Sequence, residues 1–578
     1  MKLNLNLIIL IKELLIIIII MCGIFGVFGN YDNNKLYSLF MKIKKRGKHK
    51  SVYIEGDDYK VGFHRLSIID KSINGDQPFV YHTNNRDIYV ICNGEIYNYK
   101  KFKKKYENSY DFKSNSDCEV LIPLYLEYGI NFIKQLDGEF SFAIYDFDLE
   151  TGYKKLYLGT DHLGMRPLFY TIYKNSLLFC SEMKGLILDD NRVERFKPGH
   201  YMKIDFKDNN SDDLIIEPEY KTYLTTNYNR YFDLNKIKPL KDNNLEKIFY
   251  NIRKILKNSV ELRLQSDQEV GALLSGGLDS SLLCAIASDI LKEKGKKLKT
   301  FCIGIEGSPD IECSKKVAEY IGSEHTIIEI SQNEMLDALE TVIYEIETYD
   351  TTTIRASVGQ YMVSKWIAEN TDIKVVIVGD ISDELTSGYL YFHNSPDENF
   401  SHRENIKLLE TIHYFDVLRA DRGTASHDLE VRVPYGSKNF IEYYLSIEPK
   451  LRVPKDGVEK WLLRNSYKNT NILPNEILFR TKEAFSDGIS SNEKSWFEII
   501  QDKVNLSMSD RYFNSKKTNY NINQPKTKEA LYYREIFDKY YINQDHIIPF
   551  YWMPNWDEDD VNDPSARKLK IYKDLENK

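Results

Sequence analysis

The chain has 578 residues, and at about 100–200 residues per domain this length predicts more than one domain. Its 42% hydrophobic and 28% charged residues exclude a wholly disordered protein, and its net charge of −8 argues against a nucleic-acid partner. The seven cysteines show no Cys-x-x-Cys pair and no zinc-ligand spacing. We therefore expect a reduced cytoplasmic protein without a structural metal or a membrane partner.

The first twenty residues, MKLNLNLIILIKELLIIIII, are apolar but are interrupted by Lys12 and Glu13. A membrane helix needs about 20 uninterrupted apolar residues, and a signal peptide ends in small residues. Three interpretations stay open: a membrane or targeting helix, an extension of unknown role, or an assigned start upstream of a true start at Met21. We expect residues 1–21 to be absent from, or removed in, the active protein.

Residues 22–205 contain short apolar runs separated by Gly, Asn and Asp, a pattern that predicts buried strands. Helical periodicity appears at 117–128. The pattern therefore predicts sheets layered with helices. Residues 206–243 are polar and contain two prolines, which favours a linker or a surface excursion.

From residue 244 to residue 578 the pattern changes to strands that alternate with helices. The four predicted strands cover 269–274, 300–305, 325–330 and 373–378. Alternation of this kind predicts a doubly wound parallel sheet, in which ligands bind at the carboxyl ends of the strands. Beyond about residue 400 the pattern is mostly helical.

The strongest motif is Ser-Gly-Gly-Leu-Asp-Ser-Ser at 275–281, between a predicted strand and a helix. Its glycines let the backbone approach a polyphosphate, and the helix N-terminus that follows offers free N–H groups. A carboxylate at Asp279 fits a phosphate site if it holds a cation such as Mg²⁺. No Gly-Lys-[Ser/Thr] follows, so this is not a Walker loop. The structural alternative is a turn that only starts the helix.

A second motif, Cys-Gly-Ile-Phe-Gly, begins at Cys22. If Met21 is the initiator and is removed, Cys22 carries a free α-amine, which titrates at about 7.7–8.0 and can serve as the base for its own thiol. The alternative is a buried cysteine at the start of a strand. Further along the chain, Arg65 is suited to grip a carboxylate, Asn93 and Gly94 offer oxyanion donors, and Asp117 could hold an ammonium group.

These residues together resemble the N-terminal-nucleophile glutamine amidotransferases, and the 275–281 motif resembles the pyrophosphate loop of the ATP pyrophosphatases. In this order the two halves resemble the glutamine-hydrolysing asparagine synthetases, over essentially residues 21–578. Six later segments are more similar in sequence to the animal-type enzymes than to the bacterial ones. These segments are 347–357, 388–393, 416–421, 430–434, 482–488 and 563–567.

The resemblance implies an N-terminal αββα sandwich of the N-terminal-nucleophile type and a second, α/β domain. It also implies roles for individual residues of the first domain. Cys22 would attack the side-chain amide of glutamine, with Asn93 and Gly94 stabilising the oxyanion. Arg65, Glu95 and Asp117 would hold the rest of the glutamine, and an internal tunnel would carry the ammonia.

In the second domain, the resemblance implies that aspartate attacks the α-phosphate of ATP to give β-aspartyl-AMP, from which ammonia displaces AMP. Asp380 would handle protons in that step, and Asp279 and Asp383 would hold Mg²⁺. The implied partners are glutamine, aspartate and ATP, and a homodimer is compatible because the family is often dimeric. The residues implied in ATP binding are Leu273, Ser275, Gly276, Gly277, Asp279, Ser280, Ile303, Val378, Gly379 and Lys482.

The sequence departs from the family pattern at the end of the fourth predicted strand. The family reads Ser-Gly-Glu-Gly-Ser-Asp-Glu there, whereas this chain reads Val-Gly-Asp-Ile-Ser-Asp-Glu at 378–384. Asp380 is one methylene shorter than the family's Glu, which could place a general base out of reach. Ile381 replaces a Gly, and a β-branched residue would be strained there if that position has a positive φ.

Three functions stay open from the sequence. The favoured one is ATP-dependent asparagine synthesis with glutamine as the nitrogen donor. The second is an amidotransferase of the same architecture that adenylates another acceptor. The third is a glutamine- or nucleotide-binding protein without turnover, for which Asp380 and Ile381 are the best support.

Overall fold

The computed structural model describes residues 22–29, 31, 34–47, 49–174, 176–207, 228–480, 485–490, 494–556, 563–570 and 572. The expectations for residues 1–21 and for Lys482 lie outside these residues. The same holds for the part of the expected linker that spans 208–227.

The N-terminal part contains two six-stranded antiparallel sheets. The first contains β1 (Gly23–Phe28), β2 (Lys50–Glu55), β3 (Tyr59–Arg65), β8 (Phe169–Tyr173), β9 (Ser176–Cys180) and β10 (Glu194–Arg195). The second contains β4 (Phe79–His82), β5 (Arg86–Ile96), β6 (Gly138–Asp148), β7 (Tyr153–Thr160), β11 (His200–Lys207) and β12 (Tyr228–Arg230). Their strand orders are β10-β8-β9-β1-β3-β2 and β12-β11-β7-β6-β5-β4. The strand β12 lies within the expected linker, 206–243, and pairs with β11, so this part of the linker belongs to the second sheet.

The two sheets face each other across one apolar core and are covered by helices. Ile24 and Phe63 of the first sheet share this core with Ile91 and Leu158 of the second. Alternating side chains put the opposite faces outward. On the first sheet the outer face packs on α1 (Lys35–Lys42), and on the second it packs on α2 (Tyr99–Tyr106) and α3 (Leu121–Tyr128). The predicted αββα layers are therefore confirmed.

The C-terminal part is built on one five-stranded sheet in which every pair is parallel. Its strands are β13 (Val270–Leu273), β14 (Lys299–Gly304), β15 (Glu324–Glu329), β16 (Val375–Ile377) and β17 (Glu430–Arg432), in the order β15-β14-β13-β16-β17. The four predicted strands are confirmed. The fifth strand, β17, was missed because its three residues lie in a stretch that reads as helical.

Helices cover both faces of this sheet, as a doubly wound fold requires. They are α4 (Leu245–Arg263), α5 (Leu278–Glu293), α6 (Pro309–Ile321), α7 (Gln332–Ile346) and α8 (Thr351–Asn370). Parallel strands with helices on both faces confirm the predicted fold class of this half.

The remainder is mainly helical, as predicted. Its helices are α9 (Ser382–Thr386), α10 (Glu398–Thr411), α11 (Asp416–Ala425), α12 (Lys438–Ser446), α13 (Pro449–Arg452), α14 (Trp461–Tyr467), α15 (Asn475–Leu478), α16 (Phe485–Gly488), α17 (Trp496–Ser507), α18 (Asp510–Lys516) and α19 (Lys528–Tyr540). Within the described ranges, no helix has the length and apolar character needed to cross a membrane.

Candidate active sites

Cys22 and Arg65 lie at the same end of the first sheet. In the antiparallel pair β1–β3, Gly23 is opposite His64, so the residues just beyond them, Cys22 and Arg65, are neighbours. The Cys22 Sγ lies 3.4 Å from the Leu66 N and 3.5 Å from the Leu66 O. Burial raises the pKa of the Cys22 thiol to about 12, against the opposing charge of Arg65. The thiol is therefore neutral at rest and needs a base to become a nucleophile.

The Arg65 guanidinium turns into the loop that follows β3. Its Nη1 donates to the Ser72 O at 2.5 Å and to the Asp76 Oδ1 at 2.6 Å, and its Nη2 donates to the Asp70 O. Gly75 lets this happen, because a Cβ there would lie 2.1 Å from the Arg65 Nη2. The loop therefore fixes the guanidinium close to the Cys22 end of the sheet.

Asn93 and Gly94 lie near the end of β5, on the facing sheet. The Asn93 Nδ2 donates to the Ser181 Oγ at 3.5 Å, and the same hydroxyl accepts the Ile24 N–H at 3.0 Å. Ser181 therefore links Asn93 to the backbone two residues after Cys22. Gly94 has a φ of 139°, and a Cβ there would lie 2.0 Å from the Glu139 O, so the pairing of β5 with its neighbour requires glycine.

Two buried carboxyl groups lie beside these donors. The Asp117 Oδ2 accepts the Ile96 N–H at 2.6 Å, and the Glu95 Oε2 lies 3.3 Å from the Arg432 Nη2. Burial raises the pKa of Asp117 to about 6. Burial and the charge of Asp117 also raise the pKa of Glu95 well above its usual value. A buried pair of acids like this is suited to bind a group that brings a positive charge.

The 275–281 loop leaves β13 at the carboxyl end of the strand and leads into α5. The Ser275 Oγ lies 3.0 Å from the Ser280 Oγ and accepts the Gly277 N–H at 3.3 Å. Gly276 has a φ of 74°, and a Cβ there would lie 2.4 Å from the Cys313 Cβ. The loop is thus held tight against α6, with the N-terminus of α5 open toward a cavity.

This cavity, which we call the nucleotide cavity, opens at the carboxyl ends of β13, β14 and β16. Most residues expected to bind ATP line it, and so do Asp380 and Asp383. Gly276 lies behind the wall rather than on it, and Lys482 is outside the described residues. The expected residues on the wall are Leu273, Ser275, Gly277, Asp279, Ser280, Ile303, Val378 and Gly379.

Lys460 is a cavity residue that no pattern in the sequence indicates. Its buried ammonium lies 2.5 Å from the Asp279 Oδ2 and 2.7 Å from the Asp383 Oδ1. It therefore neutralises both carboxylates next to the place where phosphates are expected. It belongs to no recognised motif and directly precedes α14 in the sequence. Only the fold places it beside the two carboxylates.

Asp380 and Ile381 form the turn that departs from the family pattern. The Asp380 Oδ1 accepts a hydrogen bond from the Arg419 Nη2 at 2.6 Å. Burial raises the pKa of Asp380, against the opposing charge of Arg419. Ile381 has a φ of 77°, which is a strained conformation for a β-branched residue. This is the strain that we expect if the family's glycine at this position has a positive φ.

Comparison with known proteins covers both halves of the chain. The family model for a glutamine amidotransferase domain matches residues 21–213, and the model for asparagine synthase matches 251–407 and 394–559. A solved allosteric regulatory enzyme of purine biosynthesis matches 53% of this chain and 80% of its own, at 16% identity and a TM-score of 0.28.

Full-length relatives are much more similar. The asparagine synthetase [glutamine-hydrolyzing] of Mus musculus is 42% identical over 568 residues, which is 96% of this chain and 99% of the mouse protein. Those of Gallus gallus and Homo sapiens are 41% identical over 572 and 567 residues, with the same shares of both chains. All three relatives are animal proteins, which confirms the expected resemblance to the animal-type enzymes. The chain belongs to the family of glutamine-hydrolysing asparagine synthetases, which form asparagine in an ATP-dependent reaction with glutamine as the nitrogen donor.

Proposed function

We propose that Cys22 releases ammonia from glutamine and that the nucleotide cavity activates aspartate with ATP. One observation carries the proposal: residues from the carboxyl ends of three parallel strands, expected to bind ATP, line a single cavity together with Asp380. The carboxyl end of a parallel sheet is where open α/β folds bind nucleotides.

In the first step, the Cys22 sulfur attacks the side-chain amide carbon of glutamine, and the C–N bond breaks with release of ammonia. Water then hydrolyses the resulting thioester, which releases glutamate and restores the Cys22 thiol. The Asn93 side chain and the Gly94 N–H donate hydrogen bonds to the oxyanion, while Arg65, Glu95 and Asp117 hold the carboxylate and ammonium groups of glutamine. The raised pKa of the thiol makes a base necessary, and the α-amine of Cys22 is that base. The active form therefore begins at Cys22, without residues 1–21.

In the second step, the aspartate side-chain carboxylate attacks the α-phosphate of ATP, and pyrophosphate leaves. Ser275, Gly277, Ser280 and Lys482 hold the pyrophosphate group, and Gly276 shapes the loop behind them. Leu273, Ile303, Val378 and Gly379 enclose the nucleoside. Ammonia then attacks the acyl carbon of β-aspartyl-AMP, AMP leaves, and Asp380 accepts the proton that the nitrogen loses.

Asp279 and Asp383 fit a Mg²⁺ ion. Both line the nucleotide cavity, and both contact the Lys460 ammonium, so the structure already directs them at a cation. Mg²⁺ is commonly bound by one or two carboxylates together with substrate phosphates, which these two residues can provide. When bound, Mg²⁺ neutralises phosphate charge.

We further propose that residues 22–205 act as the glutaminase unit and 244–578 as the synthetase unit, in a homodimer. The seven free cysteines fit a reducing compartment such as the cytoplasm.

A coupled assay with aspartate, glutamine, ATP and Mg²⁺ tests this function. Asparagine and AMP are expected to form together at equal rates. Asp279→Asn is expected to stop AMP formation while glutamate is still released from glutamine. AMP formation at the wild-type rate in Asp279→Asn would contradict the assignment of the nucleotide cavity.

A further inference from the structure

A second cavity adjoins the nucleotide cavity and shares Asp383 and Arg419 with it. Arg355 and Asp416 add a second cation and a second carboxylate to its lining. A cavity with charges of both signs matches a zwitterionic amino acid. Because the acceptor must reach the α-phosphate from beside the nucleotide, this second cavity is suited to hold aspartate.

One wall of this acceptor cavity comes from residues 563–570, near the C-terminus, which we call the C-terminal strap. Pro564, Ser565, Ala566 and Leu569 of the strap line the cavity. Leu569 is buried, with 4% of its surface exposed. A segment more than 130 residues away in sequence from the shared Arg419 therefore closes the acceptor side of the site.

Arg355 on α8 clamps the strap. Its Nη1 and Nη2 each donate to Asp563, both at 2.9 Å, and its Nε and Nη2 donate to Glu529 at 2.8 and 2.6 Å. Burial opposes ionisation of Asp563, but the hydrogen bonds and charge of Arg355 outweigh it and hold the pKa of Asp563 below its usual value. Both groups are thus charged and buried. Removal of either partner from such a pair is strongly destabilising, so the intact pair fixes the strap on α8.

Arg567 adds a second clamp. Its Nη1 donates to the Ser495 Oγ at 2.9 Å, and its Nη2 donates to the Asp487 O at 3.2 Å. The two clamps meet at α17, because the Gln501 Nε2 of that helix donates to the Asp563 Oδ2 at 2.7 Å and Ser495 directly precedes the helix.

We propose that the C-terminal strap determines acceptor binding and protects the activated acceptor from water, with Arg355 as a positioning residue that acts through Asp563. A loosened strap lets water attack the acyl carbon of the adenylate. The new C–O bond then replaces the bond to the AMP oxygen, and aspartate, AMP and a proton are released. Exclusion of water is the general function of such walls. The proposal rests on the assignment of the nucleotide cavity.

Asp563→Asn tests the strap directly, because it removes one charge of the clamp and leaves Arg355 paired with Glu529. We expect the KM for aspartate to rise about tenfold or more, since misplacement near 1 Å can cost that much. The ratio of AMP to asparagine is expected to rise above one, while the KM for ATP and glutaminase activity stay unchanged. Asp563→Glu is expected to restore partly both the KM for aspartate and the ratio of AMP to asparagine. Arg567→Ala is expected to raise the same two quantities, but by less than Asp563→Asn does.

Asp545→Asn is the control, because it removes a carboxylate that pairs with Arg534 at 2.9 Å and that lies outside the cavity lining. It is expected to leave the KM for aspartate and the product ratio unchanged. A wild-type KM and ratio in both Asp563→Asn and Arg567→Ala would overturn the proposal, as would equal losses in glutaminase and synthetase activity. Failure of the nucleotide assignment would show separately, as AMP formation that survives Asp279→Asn.

Discussion

Arg46 and Asp421 form a bidentate ion pair that joins the two halves of the chain, with N–O distances of 2.7 and 2.9 Å. Both side chains are fully buried. The Arg46 Nε also donates to the Cys22 O at 3.0 Å, so one side chain ties the backbone of the proposed nucleophile to α11 of the synthetase half.

Asp421→Asn is expected to lower stability and to uncouple the two reactions. Loss of one partner of a buried pair costs about 3–5 kcal/mol, and the remaining contact of Arg46 with Glu182 offsets part of this. Urea unfolding measures the stability, and the ratio of asparagine formed to glutamate formed measures the coupling. Asp189→Asn, which breaks an exposed pair with Lys35, should change neither. An unchanged product ratio in Asp421→Asn would show that the pair has no part in coupling.

Gly94→Ala is expected to abolish glutamine use while ammonium-dependent asparagine synthesis continues. The added Cβ would lie 2.0 Å from the Glu139 O, which displaces the backbone beside Asn93. Gly295→Ala is the control, because Gly295 also has a positive φ, of 68°, but has open space around it. Steady-state rates with glutamine and with ammonium check the prediction, and normal glutamine use in Gly94→Ala would contradict it.

Local patterns predicted most of the fold, since apolar runs and Gly-rich turns are readable from neighbouring residues. The strand β17 was not predictable, because three residues give no period and its place in the sheet depends on its pairing with β16. Motif spacing predicts the candidate residues around Cys22 and at 275–281. It does not predict Lys460, since the role of Lys460 depends on two carboxylates that lie far from it in the chain.

The pKa of about 6 for Asp117 predicts a pH dependence for glutamine use. Below that pH the carboxyl group is protonated and cannot pair with the glutamine ammonium, so kcat/KM for glutamine should fall. Asp117→Asn should remove the part of the fall that occurs near pH 6, along with most of the activity, while the fall caused by protonation of the Cys22 α-amine at about 7.7–8.0 remains. The measurement is kcat/KM for glutaminase between pH 5 and 8.

The raised pKa of Asp117 also predicts a pH dependence of the folding stability, with the opposite sign to the pH dependence of glutamine use. Because the folded-state pKa is raised, the protonated form is favoured in the folded protein. The contribution of Asp117 to stability is therefore greatest below its unfolded pKa and is lost as pH rises through about 6. About two pKa units correspond to about 3 kcal/mol, so Asp117→Asn should be more stable than the wild type at pH 8. Equal stability of the two proteins at pH 8, with equal glutamine use, would contradict both predictions.

Asp380→Asn is expected to slow asparagine formation by about 10²–10⁴-fold, the usual loss when a general base is removed. Aspartate-dependent exchange of pyrophosphate into ATP should persist, because adenylation precedes the ammonia step. Asp380→Glu should keep asparagine formation, since it retains a carboxylate near Arg419. Equal losses of exchange and synthesis in Asp380→Asn would instead show that Asp380 only positions Arg419.

The central claim is that ammonia made at Cys22 is used in the nucleotide cavity, and Cys22→Ala tests it most directly. Asparagine formation is measured with saturating aspartate and ATP, once with glutamine and once with ammonium as the nitrogen source. We expect loss of the glutamine-dependent rate and retention of the ammonium-dependent rate. A Cys22→Ala protein that still makes asparagine from glutamine, or one that makes it from neither source while remaining folded, would contradict it.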